Sequence, residues 1–276
     1  MSTAPLPCKL FVTDLDGTIL VDDGPTGVRL PERTKQALRR LSEQGVVVCL
    51  ASGRMHESIR IVADSWDFSG PIISYNGAMV RLADGSLLSH DPLDGGVTEA
   101  VVAFAEAENL PLNFYSENRI FSRRFHPWWD IYEGRTCSPM QEVASLMPYS
   151  RQVATKLLLM SEPALIKALE ARFKPRFEGL ANVLISADEY LEFMAPQVHK
   201  GAALARLAGH LGFSKADIVV AGDGFNDIEM FQEAGCAVAV ENARPALRDL
   251  AHHVVAGPEA GGVAAFIEDH LLRRHG

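Results

Sequence analysis

Asp14 and Asp16 stand one residue apart at the end of the apolar run Lys9-Leu-Phe-Val-Thr13, and Gly17-Thr18 follows at once. Such a run reads as a buried parallel strand. Two carboxylates at its end repel each other and gain nothing from a packed core. Carboxylate oxygens are what Mg²⁺ takes as ligands, and a bound divalent cation removes the penalty. The plainer reading is a strand closed by an Asp-Gly turn, which is common. It weakens because a second acidic pair has the same setting: Ile218-Val-Val-Ala-Gly222 is another buried-strand pattern and ends in Asp223-Gly224-Phe225-Asn226-Asp227. Between them, Val46-Val-Val-Cys-Leu-Ala51 ends in Ser52-Gly53-Arg54, and Pro71-Ile-Ile-Ser-Tyr75 ends in Asn76-Gly77. Each run thus finishes in small or polar groups suited to phosphate or metal. In an open parallel α/β sheet, ligands bind outside the carboxyl ends of the strands, near the switch in strand order.

The elements that must position these groups follow an α/β rhythm. Leu30, Thr34, Leu38 and Leu41 recur at helical spacing over Pro31 to Gln44, with Gly45 where a C-terminal cap belongs. A helix is expected from near Arg54 and Met55, giving βαβαβ and a parallel sheet with right-handed crossovers. The rhythm resumes at Lys200, where Ala203, Leu204, Leu207 and Leu211 form one stripe. A helix over Asn226 to Ala234, a strand at Ala237 to Val240, a helix at Ala246 to Ala251, a strand at Val254-Val255 and a helix over Val263 to Arg273 complete it. Residues 84–190 differ. Strand-like runs at Leu87-Leu88, Leu112 to Tyr115, Ile120-Phe121, Val153 to Met160, Val183 to Ile185 and Tyr190 to Met194 mix with helical patterns at Val97 to Glu108 and Ala164 to Phe173. The expected fold is a Rossmann-like α/β core, residues 1–83 and 191–276, interrupted by a smaller α+β cap domain, residues 84–190.

Bulk properties narrow the function classes. The chain has 276 residues, 47% apolar and 22% charged, ordinary values for a soluble globular protein. A formal charge of −9 argues against nucleic acid and anionic membranes as partners, and means that an anionic substrate needs a local cation. No apolar stretch approaches the roughly 18 residues of a membrane span, and the first residues lack the pattern of a signal peptide. Cys8, Cys49, Cys137 and Cys236 are scattered without metal-ligand spacing, which fits core thiols in a reducing cytoplasm.

Taken in order, Asp14-x-Asp16-Gly-Thr, Ser52-Gly-Arg54, Asn76-Gly77, Lys200-Gly-x-Ala-Leu204 and Gly222-Asp223-Gly-Phe-Asn226-Asp227 resemble the haloacid-dehalogenase-like (HAD) phosphohydrolases. The resemblance is greatest to the Cof-type branch, whose cap is inserted between the second and third motifs. It covers nearly the whole chain, including the tail Ala237-Val-Ala-Val-Glu-Asn-Ala243 and Gly261-Gly-Val263. Ser52 stands where Thr is frequent and keeps the hydroxyl; Phe225 stands where Glu is often found.

The resemblance implies a Mg²⁺-dependent hydrolase of phosphomonoesters acting on small phosphorylated metabolites such as sugar phosphates, nucleotides or phosphorylated cofactors. Asp14 would attack phosphorus and form an aspartyl-phosphate. Mg²⁺ would be held by Asp14, the backbone carbonyl of Asp16 and Asp223, with Asp227 near or in the shell. Asp16 would protonate the leaving alkoxide and then activate water, a role that typically contributes ~10²–10⁴-fold. Ser52 and the Gly53 N–H would hold phosphate oxygens at a helix start, and Lys200 would supply charge to the phosphoryl group and Asp14. Asn226 would hold neighbouring groups, while Asn76 and Gly77 lie near the substrate in the family. A monomer or small homo-oligomer in the cytoplasm is expected. A phosphomutase of the same fold and a catalytically silent phosphate- or metal-binding protein are the alternatives, the latter opposed by retention of Asp14, Asp16, Lys200, Asp223 and Asp227.

Several residues carry a plainer reading beside the functional one. Lys200 alone is a solvated lysine at a helix start, and Arg54 is either a site residue or a surface ion-pair former. His199, His252 and His253 lack metal-ligand spacing and read as exposed or core-edge histidines. Asp22 and Asp23 read as a solvated turn. The aromatics of Phe125-His-Pro-Trp128-Trp129 fit the cap core or, facing the mouth of the site, contact with the leaving group.

Overall fold

The computed structural model describes residues 6–23, 27–124, 126–136 and 140–272. Phe125, Cys137 and Arg273, named above, lie outside them. The chain divides into two compact units, one of Met1–Ser89 with His199–Gly276 and one of His90–Val198.

The first unit is built on an eight-stranded sheet in the order His253–Val255, Cys236–Val240, Ile218–Gly222, Leu10–Thr13, Val47–Ala51, Ile72–Ser74, Met79–Arg81 and Leu87–His90. The six strands from His253–Val255 to Ile72–Ser74 are parallel, and Met79–Arg81 returns antiparallel to Ile72–Ser74. Leu10–Thr13 is buried throughout because neighbours flank it on both sides, which is why its sequence is a continuous apolar run rather than an alternation. From it the chain order departs in two directions, to Val47–Ala51 on one side and Ile218–Gly222 on the other. That is the switch point at which α/β sheets open a crevice.

Helices cover this sheet much as the periodicity predicts. Glu32–Glu43 buries Thr34, Ala37, Leu38 and Leu41, and Gly45 follows at φ +85°, a conformation that only glycine adopts freely. Lys200–Leu211 buries Ala203, Leu204 and Leu207 and ends at Gly212 with φ +71°. The Asn226–Ala234 helix is shorter than expected: a 3₁₀ turn at Phe225–Asp227 leads into Ile228–Gln232. The last helix is α over Gly262–Phe266 and π over Ile267–Leu271.

In the second unit, six strands run in the order Met140–Glu142, Arg119–Ser122, Leu112–Ser116, Lys156–Met160, Tyr190–Met194 and Asn182–Ala187. All neighbours are antiparallel except the first pair. Its apolar core joins Phe114, Leu157, Leu159, Leu191 and Phe193 from the sheet to Val97, Val101, Ile166 and Phe173 from the helices Gly95–Ala107 and Pro163–Arg176. A third helix, Trp128–Thr136, has no counterpart in the sequence reading. Trp128 and Trp129 are buried; Trp128 meets the Tyr190 ring edge-on at 6.5 Å, and the Arg124 guanidinium lies 5.5 Å from the Trp129 ring.

The unit limits differ from residues 84 and 190 for reasons of strand pairing. Leu87–His90 folds back beside Met79–Arg81 through a turn in which Gly85 takes φ +81°, so it closes the first sheet. Tyr190–Met194 lies between Lys156–Met160 and Asn182–Ala187, so residues 191–194 belong to the second sheet. Cys8, Cys49 and Cys236 are free thiols. Among the described residues no helix is long and apolar enough to cross a membrane.

Candidate active site

Register brings the two acidic pairs together. Thr13 pairs with Ala221 in adjacent parallel strands, and the Asp14 N–H continues the ladder to the Ala221 carbonyl at 2.9 Å. Asp14 and Asp223 therefore leave the sheet side by side. One oxygen from each of Asp14, Asp223 and Asp227 lies within 4.8 Å of the others. Gly17, at φ +74°, is where the chain turns under this cluster, and a Cβ there would come within 2.4 Å of Asp223 Oδ2. The Asp-Gly pair is thus the turn that the sequence suggests, and it also leaves room for the Asp223 carboxylate.

Lys200 reaches the cluster from the first position of its helix. The helix is capped by His199, whose Nδ1 accepts from the Ala202 N–H at 3.1 Å. The Lys200 side chain is wholly buried and its Nζ donates to Asp14 Oδ1 at 2.6 Å and Asp227 Oδ1 at 2.7 Å. A solvated lysine is thereby excluded. Asp14 Oδ2 accepts from the Thr18 hydroxyl at 3.1 Å. The second oxygen of Asp227 accepts from the N–H groups of Asp223, at 3.0 Å, and Gly224, at 2.9 Å. Gly222 permits this approach, since a Cβ there would lie 2.6 Å from Asp227 Oδ2.

On the other side of Leu10–Thr13, Ser52 and Asn76 are buried and joined: the Asn76 N–H donates to the Ser52 carbonyl at 3.0 Å. The Ser52 Oγ accepts from the Arg54 N–H at 3.1 Å. The helix begins at His56, so Ser52 and Gly53 occupy the turn ahead of it rather than its first turn. Gly53 packs on the Asn76 amide, and Asn226 Nδ2 donates to Asn76 Oδ1 at 2.9 Å. Gly77, at φ +107°, lies so close to the His199 carbonyl that a Cβ would meet it at 2.5 Å. Arg54 forks onto Asp16, with Nε to Oδ2 at 2.7 Å and an NH2 group to Oδ1 at 2.5 Å. Asp16 itself is about half exposed, at 49%. Asp22 and Asp23 are exposed, Asp22 at the end of a two-residue strand and Asp23 paired with Arg29 at 3.2 Å. His252 Nδ1 accepts from the Ala237 N–H.

A family model of haloacid dehalogenase-like hydrolases matches residues 11–267. The chain belongs to the haloacid dehalogenase-like hydrolases. The HMP-PP phosphatase of Cronobacter sakazakii is 28% identical over 251 residues, 90% of each chain. Among solved structures, a protein from Thermotoga maritima matches with a TM-score of 0.87 at 29% identity, over 97% of this chain and 98% of its own. A haloacid dehalogenase-like hydrolase from Bacteroides thetaiotaomicron matches with a TM-score of 0.87 at 26% identity, over 95% of this chain and 98% of its own.

In this hydrolase the electrostatics of the acidic cluster suit a cation. Burial pushes the Asp14 carboxyl up to about 8, against the pull of Lys200 and with the help of Asp227, Asp223 and Asp16. Burial also raises Asp223, to about 6, with Asp227 adding to the effect. Burial works to lower Lys200, yet Asp14 and Asp227 hold its ammonium above the ordinary range. One ammonium faces three carboxylates, and the raised Asp14 and Asp223 mean that the cluster holds its full negative charge at a cost. An all-oxygen donor set suits a hard divalent ion such as Mg²⁺, and such an ion would favour the ionised form of Asp14 and Asp223.

Thr18, Asn242 and His199 have structural parts here that the sequence reading did not assign. Asn242 Nδ2 donates to the Gly17 carbonyl at 2.8 Å. Thr18 and Asn242 both lie inside motif strings, but only the fold shows what they touch.

Proposed function

We propose that this phosphatase of the haloacid dehalogenase-like family hydrolyses phosphomonoesters of small metabolites, with Mg²⁺ bound at Asp14 and Asp223, through a phosphoryl group carried on Asp14. The observation that supports it is the fixing of Asp14 at the switch point, with one carboxylate oxygen held by Lys200 and the other by Thr18. In the first step a bond forms between an Asp14 oxygen and phosphorus as the ester P–O bond breaks, and Asp16 gives a proton to the departing alkoxide. In the second, Asp16 takes a proton from water, the water oxygen bonds to phosphorus, and the acyl-phosphate bond to Asp14 breaks. Asp14 and Asp223 would hold the Mg²⁺, which would offset repulsion between the Asp14 carboxylate and the phosphate dianion. Lys200 adds a point charge to the same oxygens, and the Ser52 hydroxyl with the Gly53 N–H orients the phosphoryl group.

Two sequence-based roles change in emphasis. Arg54, read from the sequence as either a site residue or a surface ion-pair former, is assigned to holding Asp16; its fork on both oxygens favours the carboxylate that takes a proton from water, and one arm must release its oxygen for Asp16 to carry, from solvent, the proton of the first step. Asp227 is assigned to organising the Asp223 loop and Lys200 more than to the metal, since its two oxygens already accept from three donors.

Acid quenching during turnover of ³²P-labelled p-nitrophenyl phosphate tests the mechanism. Wild-type protein retains acid-stable, base-labile label, and Asp14→Asn, folded by circular dichroism, retains none and turns over negligibly. Wild-type-like rates in Asp14→Asn, or full activity in excess EDTA, overturn the proposal.

A further inference from the structure

We infer that Phe225 and Arg244 form a subsite for a second anionic group of the substrate, so that the enzyme favours phosphate esters whose leaving group carries an additional negative charge. The inference rests on the phosphatase reading above. Phe225 is 61% exposed although it lies in the turn that starts with Asp223, at the carboxyl end of the central strands. Arg244 comes from the loop after the neighbouring strand Cys236–Val240, and its guanidinium lies over the Phe225 ring at 5.5 Å.

That loop is tied down twice. Asn242 donates to the Gly17 carbonyl at 2.8 Å, and the Arg244 N–H donates to the Asp223 carbonyl at 2.9 Å. One short segment thus bridges the turns that present both acidic pairs, and it fixes the root of the Arg244 side chain beside them. Stacking on Phe225 restricts the guanidinium further.

The charges around the site make this cation distinctive. Lys200 is committed to Asp14 and Asp227, and Arg54 to both oxygens of Asp16. Among the described residues Arg244 makes no ion pair; its guanidinium contact is the Phe225 ring. The protein carries −9 overall, so its field repels a polyanion and a second negative charge needs a local partner. A flat, permanently charged fork held on an aromatic face suits a carboxylate or a further phosphate better than a neutral hydroxyl.

Glycerol 3-phosphate and 3-phosphoglycerate share a primary phosphate ester and differ in a hydroxymethyl against a carboxylate group. The ratio of kcat/KM for 3-phosphoglycerate over glycerol 3-phosphate is expected to exceed unity in the wild type and to fall about tenfold in Arg244→Gln. Arg244→Gln retains the backbone bond to Asp223. Arg244→Lys restores part of the ratio, and Phe225→Leu lowers it by less than Arg244→Gln. Binding is read separately by calorimetry in Asp14→Asn with Mg²⁺, where adding Arg244→Gln weakens 3-phosphoglycerate about tenfold more than inorganic phosphate. A ratio or a binding difference that stays within about twofold of the parent overturns the subsite. Absence of phosphate release from every ester overturns the phosphatase reading instead, and the binding measurement still decides the subsite.

Discussion

Asp223 and Asp227 share a loop and a charge but differ in what already surrounds them. Asp227 is fully buried and accepts from Lys200 and two backbone N–H groups, whereas Asp223 is partly exposed and, among the described residues, its carboxylate accepts only a long hydrogen bond, 3.5 Å, from the Thr18 hydroxyl. Asp223→Asn is therefore expected to weaken Mg²⁺ binding by more than tenfold with little loss of stability, because it removes a ligand. Asp227→Asn is expected to cost on the order of 3–5 kcal/mol of stability, since Lys200 is left buried with one partner fewer. Calorimetric titration with Mg²⁺ and urea unfolding of both variants check the assignment; equal metal defects in the two would reverse it. At this scale the sequence is most readable where several carboxylates crowd one strand end, because nothing structural rewards that arrangement. It is least readable for Arg54: the fork onto Asp16 joins the ends of two adjacent parallel strands that lie far apart in the chain. No spacing in the chain encodes that fold.

The central strands were legible as elements because burial on both faces demands uninterrupted apolar residues, and their ends because charge or glycine must stop the run. Trp128–Thr136 was not: Trp128, Trp129 and Tyr132 are buried while Ile131 is 39% exposed, so the apolar stripe is too short and too ragged to read as a helix. Leu87–His90 was misplaced because a two-residue apolar signal says nothing about which sheet it joins. The helix His56–Asp64 allows a test at this scale. His56, at its first turn, is 8% exposed, and its buried Nδ1 has no hydrogen-bond partner among the described residues. Burial, reinforced by Arg81 and Arg60, lowers its pKa from 6.5 to about 4. The folded state therefore resists protonation while the unfolded chain accepts a proton near pH 6.5. Its contribution is complete above that pH and is lost progressively as pH falls toward about 4. Urea midpoints measured from pH 7 to 4.5 are expected to fall less steeply in His56→Leu than in the wild type. Parallel curves would mean that His56 titrates normally.

At the scale of the molecule, the second unit carries a charged pair of its own, in a stretch of sequence without phosphate or metal motifs. Lys156 Nζ donates to Glu192 Oε1 at 3.0 Å, the Ser186 hydroxyl donates to the same oxygen at 3.0 Å, and both charged side chains are buried. The two side chains sit on the face of the sheet opposite Leu157 and Phe193, as strand alternation requires. Glu192→Ala is expected to cost about 3–5 kcal/mol, because it strands a buried ammonium. Lys156→Met with Glu192→Leu is expected to recover most of that loss, as measured by urea unfolding; no recovery in the double variant would mean that the ion pair contributes net stability of its own. The strand order of the first unit has a further consequence, for biosynthesis. Leu10–Thr13 lies against Ile218–Gly222, so Asp14 gains Asp223, Asp227 and Lys200 only from the distant end of the chain. A ribosome has made the whole of His90–Val198 before the first of those partners emerges. The inserted unit, with its local antiparallel pairings, is free to fold during that interval, while the central parallel pairing, of high contact order, waits. A nascent chain halted before Lys200 thus lacks the groups assigned to the reaction, and catalytic competence arrives late in synthesis.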